Sequence, residues 1–168
     1  PQGWGHNFLK SKIYKFFIKK ADGIIVNSLS FKNEIKLRYG VNSKLILNPF
    51  DFNHIKSLAN KKIKKIFPNK AIKLINVGRL TDQKDQILLL KAVNLIKSKL
   101  KVYLVIIGKG QNYEKLIKYI SDNDLQNQVK LLGYKKNPFQ YIKQSDIFLL
   151  SSKYEGSPNV LVEALILN

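Results

Sequence analysis

Cysteine and methionine are both absent from this 168-residue chain. Without cysteine there is neither a disulfide framework nor a thiolate metal site, which fits a reducing compartment such as the cytoplasm. Without methionine the sequence does not begin at an initiator residue. It stops on Ala-Leu-Ile-Leu-Asn inside a helix-like pattern, so a piece of a longer protein is expected. No apolar run approaches the ~20 residues that a membrane span needs, and no secretory leader pattern is visible. Acidic residues are few, 11 against 30 basic ones, for a net charge of +19. Arginine is scarcer still: Arg38 and Arg79 are the only two. Such an excess suits nucleic acid, anionic lipid or phosphorylated partners. The lysines, however, are scattered along every segment, which reads as a solvated coat rather than a built patch.

What is present is an alternation of helix-like and strand-like segments. FLKSKIYKFFIKK (Phe8–Lys20) spaces Leu9, Ile13, Phe16 and Phe17 among lysines as an amphipathic helix does. GIIVNS (Gly23–Ser28) reads as a short buried strand. Ser28 or Ser30 is then the cap of a helix to Tyr39, closed by Gly40. LIL (Leu45–Leu47) is a second short strand, and the polar, lysine-rich stretch Phe50–Pro68 reads as a weakly helical connection between two bodies.

From Ile72 the pattern is regular. It predicts strands at Ile72–Gly78, Val102–Gly108, Val129–Gly133 and Asp146–Ser152. Helices are expected at Asp82–Lys99, Tyr113–Asp124 and Pro138–Gln144, then a last one capped by Ser157 with Pro158 at its first position. Ile87, Leu90, Val93, Leu95 and Ile96 mark the apolar side of the first of these helices. The strands beginning at Ile72, Val102 and Asp146 are nearly unbroken apolar runs, the mark of burial on both faces. The expected fold class is therefore α/β, a Rossmann-like parallel sheet with helices on both faces. The expected division is residues 1–50, with the connection, and residues 51–168.

Ligands of open parallel sheets lie beyond the carboxyl ends of the strands. The segments there are Gly78-Arg79-Leu80-Thr81-Asp82-Gln83-Lys84, Gly108-Lys109-Gly110, Gly133-Tyr134-Lys135-Lys136-Asn137 and Ser151 to Ser157. Arg79 and Lys84 together suit a diphosphate, one as a planar fork and the other as a point charge. Arg79 fits equally a salt bridge with Asp82, and Lys84 fits the lysine coat. Glu155 and Glu163 are either surface acids or a grip on a ligand. Gly108-Lys109-Gly110 lacks the third glycine of a dinucleotide fingerprint, and no P-loop motif occurs. His6 and His54 stand far apart without a ligand pattern, so no metal site is expected.

Gly78-Arg79-Leu80 with Gln83-Lys84, and then EGSPNVLVE with Glu155 and Glu163 separated by seven residues, resemble the retaining glycosyltransferases of the GT-B fold, family 4. ADGIIVNS (Ala21–Ser28) and LILNPFD (Leu45–Asp51) resemble the stretch that leads out of their N-terminal domain. The resemblance implies that residues 1–50 close an N-terminal acceptor domain. Residues 51–168 would form a nucleotide-sugar-binding domain cut short at its C-terminus. It further implies that Gly78, Arg79 and Lys84 hold the donor diphosphate and that Glu163 accepts hydrogen bonds from ribose. Glu155 would touch the donor sugar, while Gly156, Ser157, Pro158, Asn159 and Val160 present a helix N-terminus to it. Arg79, Lys84 and Glu155 are the implied catalytic residues. Val160, Leu161 and Ala164 are expected to face the sheet, and base contacts to lie near Tyr134–Asn137. Asp85 stands where the family often has glycine.

The implied partners are a nucleotide-sugar donor, which is a substrate rather than a cofactor, and a glycan or lipid-linked acceptor. No essential metal and no nucleic acid are expected, and the location implied is cytoplasmic. Phe8–Lys20 would suit a peripheral contact with an anionic inner membrane face, or packing on the rest of the protein. Two rivals remain from the residues themselves: a GT-B relative such as a sugar-nucleotide epimerase or a phosphorylase, and a basic nucleic-acid-binding module.

Overall fold

A computed structural model describes residues 8–167, with side chains from residue 12 onward; His6 and the side chain of Leu9 lie outside them. The chain groups into two compact units. The first holds the residues up to Phe50 together with Tyr154–Asn159, and the second Asp51–Lys153 together with the residues from Val160 on.

In the first unit, α1 (Phe8–Lys20) precedes β1 (Ile25–Val26), α2 (Leu29–Tyr39) and β2 (Lys44–Leu45). β1 and β2 pair in parallel, Val26 opposite Leu45. Ser28 caps α2, its Oγ accepting from Phe31 N at 3.2 Å. Gly40 closes the helix at φ +70°, donating its N–H to Lys36 O. Val26, Ile35 and Tyr39 form the core, joined by Ile18 and Phe31. One expectation is corrected here: Ile25 is 67% exposed, so β1 buries one face only. Ile13, Phe16 and Phe17 of α1 are 49, 55 and 65% exposed, and Ile18 packs on this unit's core. Periodicity marks an apolar face without saying what covers it.

The second unit begins with α3 (Phe52–Ala59), capped by Asp51, whose Oδ1 accepts from His54 N at 2.9 Å. Ile55 and Ala59 are buried, and Leu58 O accepts from Asn137 Nδ2 at 2.9 Å. The stretch read as a connection is thus built into this unit. There follow β3 (Ile72–Val77), α4 (Gln86–Ile96), β4 (Val102–Ile107), α5 (Tyr113–Asp122), β5 (Val129–Leu131), α6 (Phe139–Ile142), β6 (Ile147–Phe148) and α7 (Asn159–Leu167). The four strands are parallel in the order β5-β4-β3-β6.

Alternation along each strand feeds two cores. Val102, Leu104, Ile106, Leu74 and Val129 meet Leu89, Leu90, Val93, Leu116 and Ile120 of α4 and α5. Val105, Ile107 and Ile75 meet Phe67, Ile142 of α6 and Ala164 of α7. The sheet is therefore covered on both faces, which is why its strands read as continuous apolar runs.

Several boundaries moved. α4 starts at Gln86 rather than Asp82, because Arg79–Asp85 winds into turns in which Thr81 O accepts from Lys84 N and Asp85 N. Asp85 there has φ +45°, a left-handed conformation that glycine adopts at no cost. Asp85 therefore occupies a backbone position that a glycine would hold without strain. Leu95, expected on the apolar side of α4, is 77% exposed, and Leu89 is buried in its stead. β6 pairs over two residues only, and α7 begins at Asn159, one residue after Pro158.

Candidate functional site

The chain runs β3, β4, β5 across the sheet in one direction and then returns to place β6 on the far side of β3. Strand order thus reverses between β3 and β6, and a crevice beyond their carboxyl ends is where such sheets take ligands. Within the second unit, the loops leaving these two strands are tied together. Ser151 Oγ donates to Lys84 O at 2.7 Å, and Lys153 N to Gln83 O at 2.8 Å. Sequence alone did not single out the two residues beneath. Asn76 and Gln86, 2 and 1% exposed, are the polar residues buried in the core among those described. Asn76 Nδ2 donates to Leu149 O at 2.8 Å. Gln86 Nε2 donates to Arg79 O at 3.0 Å and reaches Asn76 Oδ1 at 3.5 Å. The available signal was an asparagine inside the apolar run that follows Lys73 in the strand.

The glycines after β4 serve the backbone. Gly78 N donates to Ile107 O, Leu80 N to Lys109 O and Asn112 N to Leu80 O, so the β4–α5 loop lies against the β3–α4 loop. A Cβ on Gly108 would fall 1.8 Å from Gly78 O, and one on Gly110 would fall 2.3 Å from Leu80 O. No side chain fits at either position, which accounts for Gly108-Lys109-Gly110 without a phosphate cradle.

The structure brings Gly78, Arg79 and Lys84 into one loop. The Lys84 stem lies along Gly78, its Cδ 3.7 Å from where a Gly78 Cβ would stand. Arg79 is exposed. Its guanidinium has no ion pair or hydrogen bond among the described residues. Asp82, its alternative partner, instead accepts from Asn112 Nδ2 at 2.9 Å and stands 3.9 Å from Lys115 Nζ. The loop therefore offers a cation with no internal use for it.

On α7, Val160 and Ala164 pack on the sheet, whereas Leu161, expected beside them, is 37% exposed. Glu163 is half-buried and makes no hydrogen bond or ion pair among the described residues. Desolvation pushes its carboxyl above the usual range.

Glu155 to Asn159 group with the first unit, although residues 51–168 were expected to hold them. Within that unit Asn48 Nδ2 donates to Asn159 Oδ1, and Asn27 Nδ2 to Asn48 Oδ1 at 3.3 Å. Gly156 lies beside Asn27 and Ser28. Glu155, Ser157 and Pro158 are half-buried, while Gly156 and Asn159 are exposed. In the stretch expected to touch a base, Tyr134 is exposed with Lys109 Nζ 5.5 Å from its ring centroid. The Asn137 side chain is engaged by Leu58 O and Phe139 N.

The family described as Glycosyl transferases group 1 matches residues 59–168. An uncharacterized glycosyltransferase of Methanocaldococcus jannaschii is 37% identical over 162 residues, 92% of this chain and 40% of that protein. The N-acetylgalactosamine-N,N'-diacetylbacillosaminyl-diphospho-undecaprenol 4-alpha-N-acetylgalactosaminyltransferase of Campylobacter jejuni is 32% identical over 168 residues, 95% of this chain and 44% of that protein. The chain thus spans less than half the length of these curated relatives. Among solved structures, Anabaena HepE in complex with UDP and glucose superposes with a TM-score of 0.77 at 20% identity, over 95% of this chain and 46% of that one. That likeness establishes the shared α/β fold.

Proposed function

Since this chain belongs to the glycosyl transferases group 1 family, we propose that it carries the donor grip of a retaining family 4 enzyme. In this reading the intact protein moves a sugar from a nucleoside-diphosphate donor to an acceptor hydroxyl, with retained anomeric configuration. The process served is the building of a bacterial cell-surface polysaccharide or lipopolysaccharide on a glycan or lipid-linked acceptor at the cytoplasmic face. The observation that carries the reading is Arg79, an exposed guanidinium without a partner among the described residues, at the strand-order reversal of a parallel sheet.

The chemistry follows from charge. When the sugar–oxygen bond breaks, negative charge accumulates on the departing diphosphate. Arg79 and Lys84 stabilise it, more strongly in the transition state than in the bound donor. Glu163 accepts hydrogen bonds from ribose hydroxyls, which supplies the partners its carboxylate lacks. Glu155 holds hydroxyls of the donor sugar, and Gly156–Asn159 offer backbone N–H groups at the start of α7. The acceptor hydroxyl attacks on the face that the diphosphate leaves, so no protein nucleophile is needed.

Calorimetric titration of the intact protein with UDP, GDP and ADP tests this. One nucleotide is expected to bind saturably, and Arg79→Ala and Glu163→Ala are each expected to weaken it about tenfold or more. Undiminished affinity in both variants would reject the site.

A second element belongs to the same reading. The exposed Ile13, Phe16 and Phe17 of α1 lie among Lys12, Lys15, Lys19 and Lys20. Apolar side chains ringed by lysines suit a peripheral contact with anionic lipid. Among the described residues no helix is long and apolar enough to cross a membrane.

A further inference from the structure

We propose that Gln86, backed by Asn76, is a positioning residue that fixes Arg79 for its grip on the diphosphate. The inference rests on the donor-binding reading above and assigns a task to two residues outside the proposed contacts.

The argument starts from cost. A primary amide taken into an apolar core loses its water, and an unsatisfied half of it is destabilising. Here two amides are buried side by side, and Gln86 Oε1 has no hydrogen-bond partner among the described residues. Aliphatic side chains in place of both amides would fill the same volume without that penalty, so stability alone does not account for the pair. What the amides do accomplish is a connection. Gln86 Nε2 holds Arg79 O, Asn76 Oδ1 lies within reach of the same Nε2, and Asn76 Nδ2 holds Leu149 O at the end of β6. Two residues further on, Ser151 Oγ holds Lys84 O. The main-chain carbonyls of both cationic residues are therefore held from below, one through the buried pair and one through the β6 loop.

Arg79 needs this. Its side chain is exposed and takes no support from any described neighbour. Its position is set by its own backbone, whose carbonyl is held by Thr81 N at 3.1 Å and by Gln86. A planar fork recognises phosphate oxygens over a narrow range of placements, so a small shift of the Arg79 backbone weakens a two-pronged contact. The effect should reach the diphosphate and spare the rest of the nucleotide.

The experiment titrates the intact protein with UDP, GDP and ADP and with the matching monophosphates, and takes the ratio of diphosphate to monophosphate affinity for the nucleotide that binds. In Gln86→Leu that ratio is expected to fall about tenfold while monophosphate affinity stays unchanged. Combined with Arg79→Ala, the Gln86→Leu change is expected to add less than about twofold, since it acts through a group already removed. An unchanged ratio in folded Gln86→Leu, an equal loss for both nucleotides, or full additivity with Arg79→Ala overturns the relay and leaves the donor-binding reading standing. Should Gln86→Leu not fold, Gln86→Met keeps the length without the amide and carries the same test. Failure of both to fold makes the pair purely architectural and overturns the proposal. Wild-type protein that binds none of the three nucleotides, or binding indifferent to both Arg79→Ala and Glu163→Ala, overturns the donor-binding reading and the relay with it; binding indifferent to Arg79→Ala alone overturns the relay.

Discussion

Two carboxyls, Glu163 and Asp146, are displaced in opposite directions by opposite surroundings. Desolvation on α7 raises that of Glu163. Asp146 is lowered, chiefly because its Oδ2 accepts from Lys73 N at 2.8 Å, with the Lys73 ammonium nearby. A raised carboxyl costs stability wherever it is ionised: its contribution is fully present below the unfolded pKa and is lost as pH rises through the folded one. Glu163→Gln removes that penalty. It is expected to raise the melting temperature slightly at pH 7.5, with the gain shrinking toward zero near pH 4. Melts of both proteins at the two pH values check this, and a gain that persists in acid would contradict it. Arg79 stood out in the sequence because arginine is scarce and this one follows a strand, whereas Lys84 and Glu163 were singled out by the family resemblance. Asn76 and Gln86 were not, because a buried amide differs from a surface one only by its neighbours, and those come from three separate segments.

Elements were legible where an apolar pattern was long. β3 and β4 begin where the sequence places them, and they pair over six residues from Ile72↔Val102 to Val77↔Ile107. The reading failed where tertiary partners decide. β6 keeps two paired residues of the strand read over Asp146–Ser152, whose apolar run is the four residues 147–150, since its loop bonds to Gln83 and Lys84 instead. α4 loses its expected first turn to the left-handed Asp85. At Gly108 an added Cβ would fall on the Gly78 carbonyl, which yields a sharp expectation. Gly108→Ala should destabilise the protein by more than about 3 kcal/mol, because neither the Gly78 carbonyl nor the paired strands have room to yield. Gly133→Ala, with nothing within 4 Å of the added atom but a φ of +67°, should cost less, about 1 kcal/mol. Denaturant unfolding of the two variants ranks them; equal losses would refute the crowding argument.

Across the whole molecule the charge of +19 is carried mainly by lysines along every segment, and three of the few ion pairs described are Arg38–Glu34, Lys73–Asp146 and Lys115–Asp82. Association with anionic surfaces should therefore be salt-sensitive. If α1 adds an apolar contact, flotation of the intact protein with vesicles containing anionic lipid should survive moderate salt and be lost in Phe16→Ser/Phe17→Ser. Flotation unaffected by the double change would mean that charge alone, and not this helix, reaches the lipid. The division into two units has its own consequence for hybrid enzymes. The chain passes between units at Phe50/Asp51, then at Lys153/Tyr154 and again at Asn159/Val160. A chimera joined at residue 50 would draw Asn27 and Asn48 from one parent and Asn159 from the other. Crossing two relatives cleanly therefore requires two breakpoints more, or the transplantation of this asparagine trio as a single inherited block.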